Sequence, residues 1–550
     1  MKYLLFLFFL IVFKNSSAND APNIVFILAD DCTKWDIGTY GSKDAVTPTI
    51  DQLALDGMKF TRCYQAAPMC SPTRHSLMTG VFPVRSGAYP NHTMAYNNIK
   101  SIVHYLKPLN YRVALAGKRH ILPQEVFPFE YLEGHAKKEK NPDFTEVEKF
   151  ISGATQKDEK FCLFICSTEP HSPWNKGDST LFDLNSIKLP PYLADTPETR
   201  RQFRNYLAEI NYLDNQVKQT LELLKKYNQE ENTIVFFASE QGNSFPFAKW
   251  TLYNAGLSSA LIVKWPGKIS PGSVSDALVD YLDIVPTFID LAGESEQNNL
   301  DGKSLMPILN QETNIHKSYT FGIQTTRGIY NGSEYYPIRS VSNGKYRLIW
   351  NISAEMAFQN NVTEKNNYFK EWEQSNNPEH LKLVKRYKNR PEFEFFEEEN
   401  DPYNMKNLVN EPEFQSIIEE MKKVLKEWMA YCGDKGLTTE LYALEHQRNK
   451  PIKHFGEIAY NPIEPGVNGN LKIERKGFYT FYFNGIGKLM INDKLLVEDI
   501  GNNPEITNYR IVYLLPGSYQ LQVKYQGKSG PNRKLEWSGP EIKKQALILP

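Results

Sequence analysis

The 550-residue chain has only six cysteines, too few and too scattered for a disulfide framework. Its 63 lysines and arginines are balanced by 64 aspartates and glutamates. The formal net charge of −1 therefore lacks the basic excess that accompanies nucleic-acid binding. A local basic pocket for an acidic ligand stays compatible with that balance. No long apolar run follows the first two dozen residues, so membrane insertion is not expected. With 41% hydrophobic and 23% charged residues, composition excludes global disorder, collagen-like repeats and low-complexity character.

What is present begins with a leader. Lys2, the apolar run Tyr3 to Phe13, and the small residues Ser16 and Ala18 have the order of a secretory signal, with cleavage expected after Ala18. No cysteine follows the cut, which argues against a lipoprotein anchor. The remaining length suits roughly three domain-sized units, or one large α/β domain with a small module.

Asn23 to Ala29 is a continuous apolar, β-rich run of the kind buried on both faces, and it ends at Asp30-Asp31. Similar runs recur at Arg112–Ala116, Phe161–Ser167, Thr233–Ser239 and Ala260–Lys264. Helical patterns lie between them, at Thr47–Gly57, Arg201–Tyr227 and Ile284–Leu291. This alternation predicts an α/β fold, a large mixed but mainly parallel sheet sandwiched by helices. Cys162 and Cys166 fall on one face of a strand and read as core. From Ser295 to Cys432 the pattern is more mixed, with a smaller α+β subdomain expected from about residue 310. A linker is expected at 433–455, and then an all-β sandwich module over 456–550, on the strength of Phe478–Phe483, Lys488–Ile491, Leu495–Val497, Arg510–Leu515 and Tyr519–Tyr525 separated by Asn/Gly/Pro turns.

The chemistry centres on Cys70-Ser71-Pro72-Thr73-Arg74-His75-Ser76-Leu77-Met78-Thr79-Gly80. Ser71 suits a helix cap, Pro72 the first helical position and Gly80 the end, so Cys70 is expected just before a helix N-terminus. Free N–H groups and the helix dipole there favour an anion, and a cysteine in that place could be a low-pKa thiolate or a buried structural residue.

This run, Cys-x-Pro-x-Arg followed by Leu-x-Thr-Gly, resembles the signature of the type I sulfatases of the alkaline-phosphatase-like superfamily, with Thr73 where Ser or Ala is commoner. Further elements follow in the family's order. Asp30-Asp31 resembles the first metal-binding pair, and Gly117-Lys118-Arg119-His120 the Gly-Lys-x-His element, with Arg119 in place of Trp. Pro170-His171-Ser172-Pro173-Trp174 resembles the loop of the leaving-group histidine, and Lys249 matches the second sulfate-binding lysine. Glu240-Gln241 is the main departure, standing where Asp-Asn or Asp-His is usual, each side chain one methylene longer. The resemblance spans about residues 22 to 430.

It implies that Cys70 is oxidised to formylglycine (3-oxoalanine) by a formylglycine-generating enzyme before folding. The implied metal ligands are Asp30, Asp31, Glu240, Gln241 and the modified Cys70. These oxygen donors suit one hard divalent cation, Ca²⁺ first and Mg²⁺ as the alternative. The implied catalytic set is Cys70, Arg74, Lys118, His120, His171 and Lys249. Lys118, His171, Lys249 and Arg339 are expected to contact substrate, and Arg119 to join the basic groups of the pocket. The expected activity is that of an exported sulfatase, periplasmic or secreted from a bacterium, acting on a sulfated carbohydrate such as ulvan or a glycosaminoglycan oligosaccharide. Two alternatives stay open: a phosphonate or phosphate ester hydrolase of the same superfamily, and an inactive carbohydrate-binding protein. The C-terminal module weakly resembles the PA14-like sandwich without its Asp-Asp-Gly calcium turn. Its Tyr479 and Tyr482 are read as core before sugar-binding residues.

Overall fold

A computed structural model describes residues 21–132, 141–294, 299–326, 335–354, 356–434, 436, 442–443, 467–484, 487–499, 508–525 and 534–548. The leader at 1–18 and most of the linker at 433–455 lie outside the described residues.

The main sheet is built from β1 (Asn23–Asp30), β2 (Met58–Tyr64), β3 (Tyr111–Gly117), β4 (Glu130–Leu132), β5 (Lys160–Cys166), β6 (Thr233–Glu240), β7 (Ser258–Lys264), β8 (Ser273–Ser275) and β9 (Val279–Asp280). Their order is β4-β3-β5-β1-β6-β7-β2-β8, with β9 also paired to β2. From β4 to β6 all neighbours are parallel. The sheet then becomes mixed, because β7 runs antiparallel to both β6 and β2. The sequence pattern does not announce β2. Its Lys59, Thr61 and Arg62 dilute the apolar signal, and a bulge between Phe60 and Cys63 breaks the alternation.

Every residue of β1 is buried, as a strand covered on both faces requires. Successive side chains point to opposite faces. Val25, Ile27 and Ala29 pack in one layer with Phe203, Leu207, Ile210 and Leu213, whereas Ile24, Phe26 and Leu28 pack in the other with Val285 and Phe288. Full burial of each such side chain is worth about 1.5–3 kcal/mol. Six helices matter below: α1 (Pro48–Leu55), α2 (Cys70–Thr79), α3 (Phe144–Gln156), α4 (Pro197–Lys226), α5 (Ile284–Leu291) and α6 (Gln415–Cys432). The longest, α4, starts where Thr196 accepts the Thr199 N–H and Pro197 takes the first helical position. Among the described residues no helix is long and apolar enough to cross a membrane.

A second, antiparallel sheet joins β10 (Thr320–Thr326), β11 (Tyr335–Ser342), β12 (Tyr346–Asn351) and β13 (Phe393–Glu397) in that order. Helix α6 packs on it, with Trp428 stacked on Phe321 at 4.8 Å. After residue 440 the chain forms two antiparallel sheets around a core of Phe481, Phe483, Leu489, Val512, Leu521 and Val523. Tyr479 is buried there, stacked on Trp537 with its hydroxyl donating to the Arg475 carbonyl, and Lys544 lies over the Tyr482 ring. Cys162 and Cys166 share one apolar layer, and all six cysteines are free and buried.

Candidate active site

The site forms because parallel register brings strand ends together. Asp30, the last residue of β1, lies beside Glu240, the last of β6, and the next residues in each chain are Asp31 and Gln241. On the other side β5 ends at Cys166 and leads to the His171 loop, while Gly117 at the end of β3 pairs with Cys166 and leads to Lys118. This carboxyl edge is where open α/β sheets bind ligands. Two glycines let the backbones approach. A Cβ on Gly117, whose φ is +88°, would fall 2.1 Å from the Cys166 oxygen, and one on Gly242 would fall 1.9 Å from the Ala255 oxygen. Asp31, His120 and Gln241 hold left-handed φ values of 59°, 53° and 33°. Such backbone strain in non-glycine residues collects at functional sites.

Facing this edge is α2. Its cap is Met69, so Cys70 is itself the first helical residue, and the helix starts two residues earlier than the Ser-Pro signal implies. Thr73, the unusual residue in the run, uses its hydroxyl to hold the Ala67 carbonyl at 2.6 Å. His75 is a packing residue, held between the Ser71 and Leu122 carbonyls at 2.7 and 2.9 Å. Gly80 closes the helix in the left-handed region, as expected.

Cations and carboxylates then pair. The Arg74 guanidinium contacts Glu240, approaches Asp30 at 3.8 Å and donates to the Lys118 carbonyl at 2.8 Å. Lys118 pairs with Asp30, and Lys249 with Asp31 at 2.6 Å. Ser244 also donates to Asp31 at 2.6 Å. Gln241 donates its amide to Asp31 at 2.6 Å and to the Cys70 sulfur at 3.1 Å. Burial alone would raise both aspartates, but Lys118, His171, Arg74 and Lys249 hold Asp30 below the usual carboxylate range. His171 and Lys249 do the same for Asp31. Burial wins at Glu240, which is pushed up to about 8 despite Arg74. Burial also lifts the Cys70 thiol to about 11 against the pull of Lys118 and Lys249. Of the two readings open for an unmodified Cys70, a low-pKa thiolate or a buried structural thiol, burial favours the second.

Three carboxylates and an amide fit a hard divalent cation. Glu240 Oε1 and Gln241 Oε1 are buried and have no hydrogen-bond partner, an acceptor surplus that a cation would satisfy. Ligand atoms of Asp30, Cys70 and His171 also lie within 4.8 Å of one another.

The two histidines differ. His171 Nδ1 lies 2.6 Å from the Ser172 carbonyl, which can only accept, so Nδ1 carries the proton and Nε2 is the exchanging atom. Nε2 stands 3.5 Å from Asp31. Burial lowers His171 more than Asp31 raises it. His120 is lowered well below the usual range by burial, Lys118 and His92. Its Nε2 meets His92 Nδ1 at 2.7 Å.

One expectation is corrected. Arg339, on β11, is 1% exposed and engaged by Asp434 and the carbonyls of Gln324 and Ile338, so its guanidinium serves the second sheet rather than a substrate. Arg119 lies over the Tyr131 ring at 3.9 Å, a flat cation where the family pattern has a flat indole. His92, Ser244, Glu169 and Glu209 are missed by sequence reasoning. Glu169 and Glu209 are buried under the His171 loop, where Glu209 accepts the Asn175 N–H at 2.6 Å and the Lys176 N–H at 3.1 Å.

Comparison with known proteins agrees with this geometry. The family described as Sulfatase matches residues 22–294, and one described as N-sulphoglucosamine sulphohydrolase, C-terminal, matches residues 242–376. An ulvan-active sulfatase of Formosa agariphila is 32% identical over 433 residues, covering 76% of this chain and 82% of that protein. The human N-sulphoglucosamine sulphohydrolase is 25% identical, over 74% of this chain and 89% of that protein. A solved structure in complex with D-glucosamine-2-N,6-O-disulfate shares the fold, with a TM-score of 0.56 and 18% identity over 76% of this chain and 99% of its own.

Proposed function

This chain belongs to the sulfatase family, and from that premise we propose that it removes sulfate from a sulfated carbohydrate through an aldehyde made from Cys70. It is a sulfuric ester hydrolase of mixed α/β fold. The substrate class follows its relatives, one active on ulvan and one named for N-sulphoglucosamine. The observation that carries the reading is the meeting of Cys70, three basic groups and three carboxylates at one sheet edge.

Hydrated to a geminal diol, residue 70 loses the proton of one hydroxyl to solvent and attacks the sulfur with that oxygen, while the ester oxygen departs with a proton from His171 Nε2. The second hydroxyl then gives its proton to His120, the carbon–oxygen bond to sulfate breaks, and the aldehyde returns. Arg74, Lys118 and Lys249 gather positive charge where the sulfuryl oxygens must sit. A divalent cation, Ca²⁺ in our reading, would be held by Asp30, Asp31, Glu240, Gln241 and modified residue 70. When bound it supplies Lewis-acid polarisation and eases ionisation of a hydroxyl.

The maturation partner is a formylglycine-generating enzyme, and the leader at 1–18 directs the protein to the periplasm or the medium. Mass spectrometry of the Cys70 peptide after co-expression with that enzyme tests the reading. A loss of about 18 Da, the change from thiol to aldehyde nucleophile, together with sulfate release from ulvan or glycosaminoglycan oligosaccharides, is expected. An intact thiol under competent maturation, or an aldehyde-bearing protein inert on every sulfate ester, overturns it.

A further inference from the structure

The contact between His120 and His92 has no counterpart in the motifs above. His92 lies in the connection between the short helices Pro83–Ser86 and Ile102–Leu106, with a left-handed φ of 62° beside the 53° of His120, so it shares the backbone strain of the site's own residues. The rings stand 4.5 Å apart, with His120 Nε2 and His92 Nδ1 at 2.7 Å. An N···N contact of that length holds one proton between two ring nitrogens. His120 Nε2 is thereby occupied. Its Nδ1 is buried, has no hydrogen-bond partner, and is the nitrogen left to act on a reacting group.

For Nδ1 to take a proton it must present a lone pair, so Nε2 must carry the hydrogen and donate it to His92. We propose that His92 is a positioning residue for the sulfate-release step: by accepting Nε2–H it fixes the tautomer of His120 and turns the Nδ1 lone pair to the hydroxyl of residue 70. The inference rests on the sulfatase reading above. In the step concerned, the hydroxyl proton passes to His120 Nδ1, the electron pair of the O–H bond forms the aldehyde carbonyl, and the bond to sulfate breaks with its pair leaving on the sulfate oxygen. The imidazolium formed is stabilised by the same contact with His92.

Three variants test this, each assayed as the full chain with its aldehyde content measured. His92→Phe keeps ring volume without the acceptor, His92→Ala is a second acceptorless form, and His92→Asn restores a side-chain acceptor. Saturating substrate, rapid acid quench and intact mass report whether sulfated enzyme builds up. The expected result for the acceptorless forms is a kcat lower by about 10- to 100-fold, part of what a positioned acid–base group supplies. KM should fall along with kcat, leaving kcat/KM within about threefold of wild type, and a species heavier than the hydrated enzyme by about 80 Da, the sulfuryl group on the covalent enzyme, should accumulate. His92→Asn should recover part of kcat and lose the adduct. A kcat within about twofold of wild type in the acceptorless forms, or a loss common to all three variants with no adduct, overturns the role of His92. Wild-type enzyme with full aldehyde and no turnover overturns the sulfatase mechanism and this inference with it.

Discussion

Replacing Glu209 by glutamine and by alanine separates two jobs of one carboxyl. Glu209 sits on α4 with no exposed surface, under the loop that carries His171. Its Oε1 accepts the N–H groups of Asn175 and Lys176, while Oε2 has no donor facing it and adjoins Glu169. Burial first, then Glu169, pushes the group up to about 9 from an ordinary value of 4.5. With a proton on Oε2 it donates to Glu169, which resolves the missing partner. The sign follows: between those two values the folded state holds a proton that the unfolded chain has released, so stability is fully present below about 4.5 and falls as pH rises toward 9. The slope is at most about 1.4 kcal/mol per pH unit. Glutamine keeps the acceptor, replaces the O–H with N–H and cannot ionise. From pH 5 to pH 8 the stability of Glu209→Gln relative to wild type should rise by on the order of 4 kcal/mol. Alanine strands two backbone N–H groups at about 1–3 kcal/mol each, a loss of about 2–6 kcal/mol that is present across the range. Urea unfolding of the full chain at pH 5, 6, 7 and 8, read through tryptophan fluorescence, measures both; Trp174, in the same loop and stacked on Phe245, contributes to that signal. Equal pH slopes for wild type and Glu209→Gln refute the shared-proton argument.

Three further outcomes are expected. Gly242→Ala forces a Cβ to 1.9 Å from the Ala255 oxygen and 2.8 Å from the Ala248 Cβ, so it should displace the Glu240-Gln241 turn and give little folded, active protein; wild-type activity on an oligosaccharide sulfate would contradict the packing. Stripping divalent cations with a chelator should cut sulfate release by about 100-fold or more and lower the melting temperature, with Ca²⁺ or Mg²⁺ restoring both; metal-free protein, verified by elemental analysis, that keeps full rate refutes the cation site. Arg339→Met leaves Asp434 buried beside an apolar chain and should cost about 3–5 kcal/mol of stability with KM within about twofold; a large rise in KM with intact stability would restore Arg339 to substrate binding.

Much of the site is legible in the sequence because its residues sit at the ends of strands buried on both faces. Asn23–Ala29 and Thr233–Ser239 read as continuous apolar runs, so the acidic residues that follow them are marked by position as well as type. What escapes are groups whose meaning depends on a distant partner. Glu209 reads as a solvated charge on an amphipathic helix until the loop at Asn175 and Lys176 closes over it. His92 is a lone loop histidine with no spacing to betray it, and only folding sets it against His120. The start of α2 is misplaced because Ser71-Pro72 imitates a cap and first position, while packing against the carboxyl edge carries the helix back to Cys70. Arg339 fails for the converse reason: a cation near a motif has no address until its counter-ion, Asp434, is known.

Cys70 is only 4% exposed, walled in by α2, Gln241 and the paired charges of the site. On the formylglycine reading this turns competence into a matter of history. A molecule that folds with its thiol intact has closed over the atom to be changed, and no later encounter with the maturing enzyme reaches it. A purified batch is then a census of two populations alike in fold and nearly alike in mass, sorted once at synthesis. Its specific activity records how well maturation kept pace with folding, and refolding repairs nothing unless the maturing enzyme is present while the chain is open.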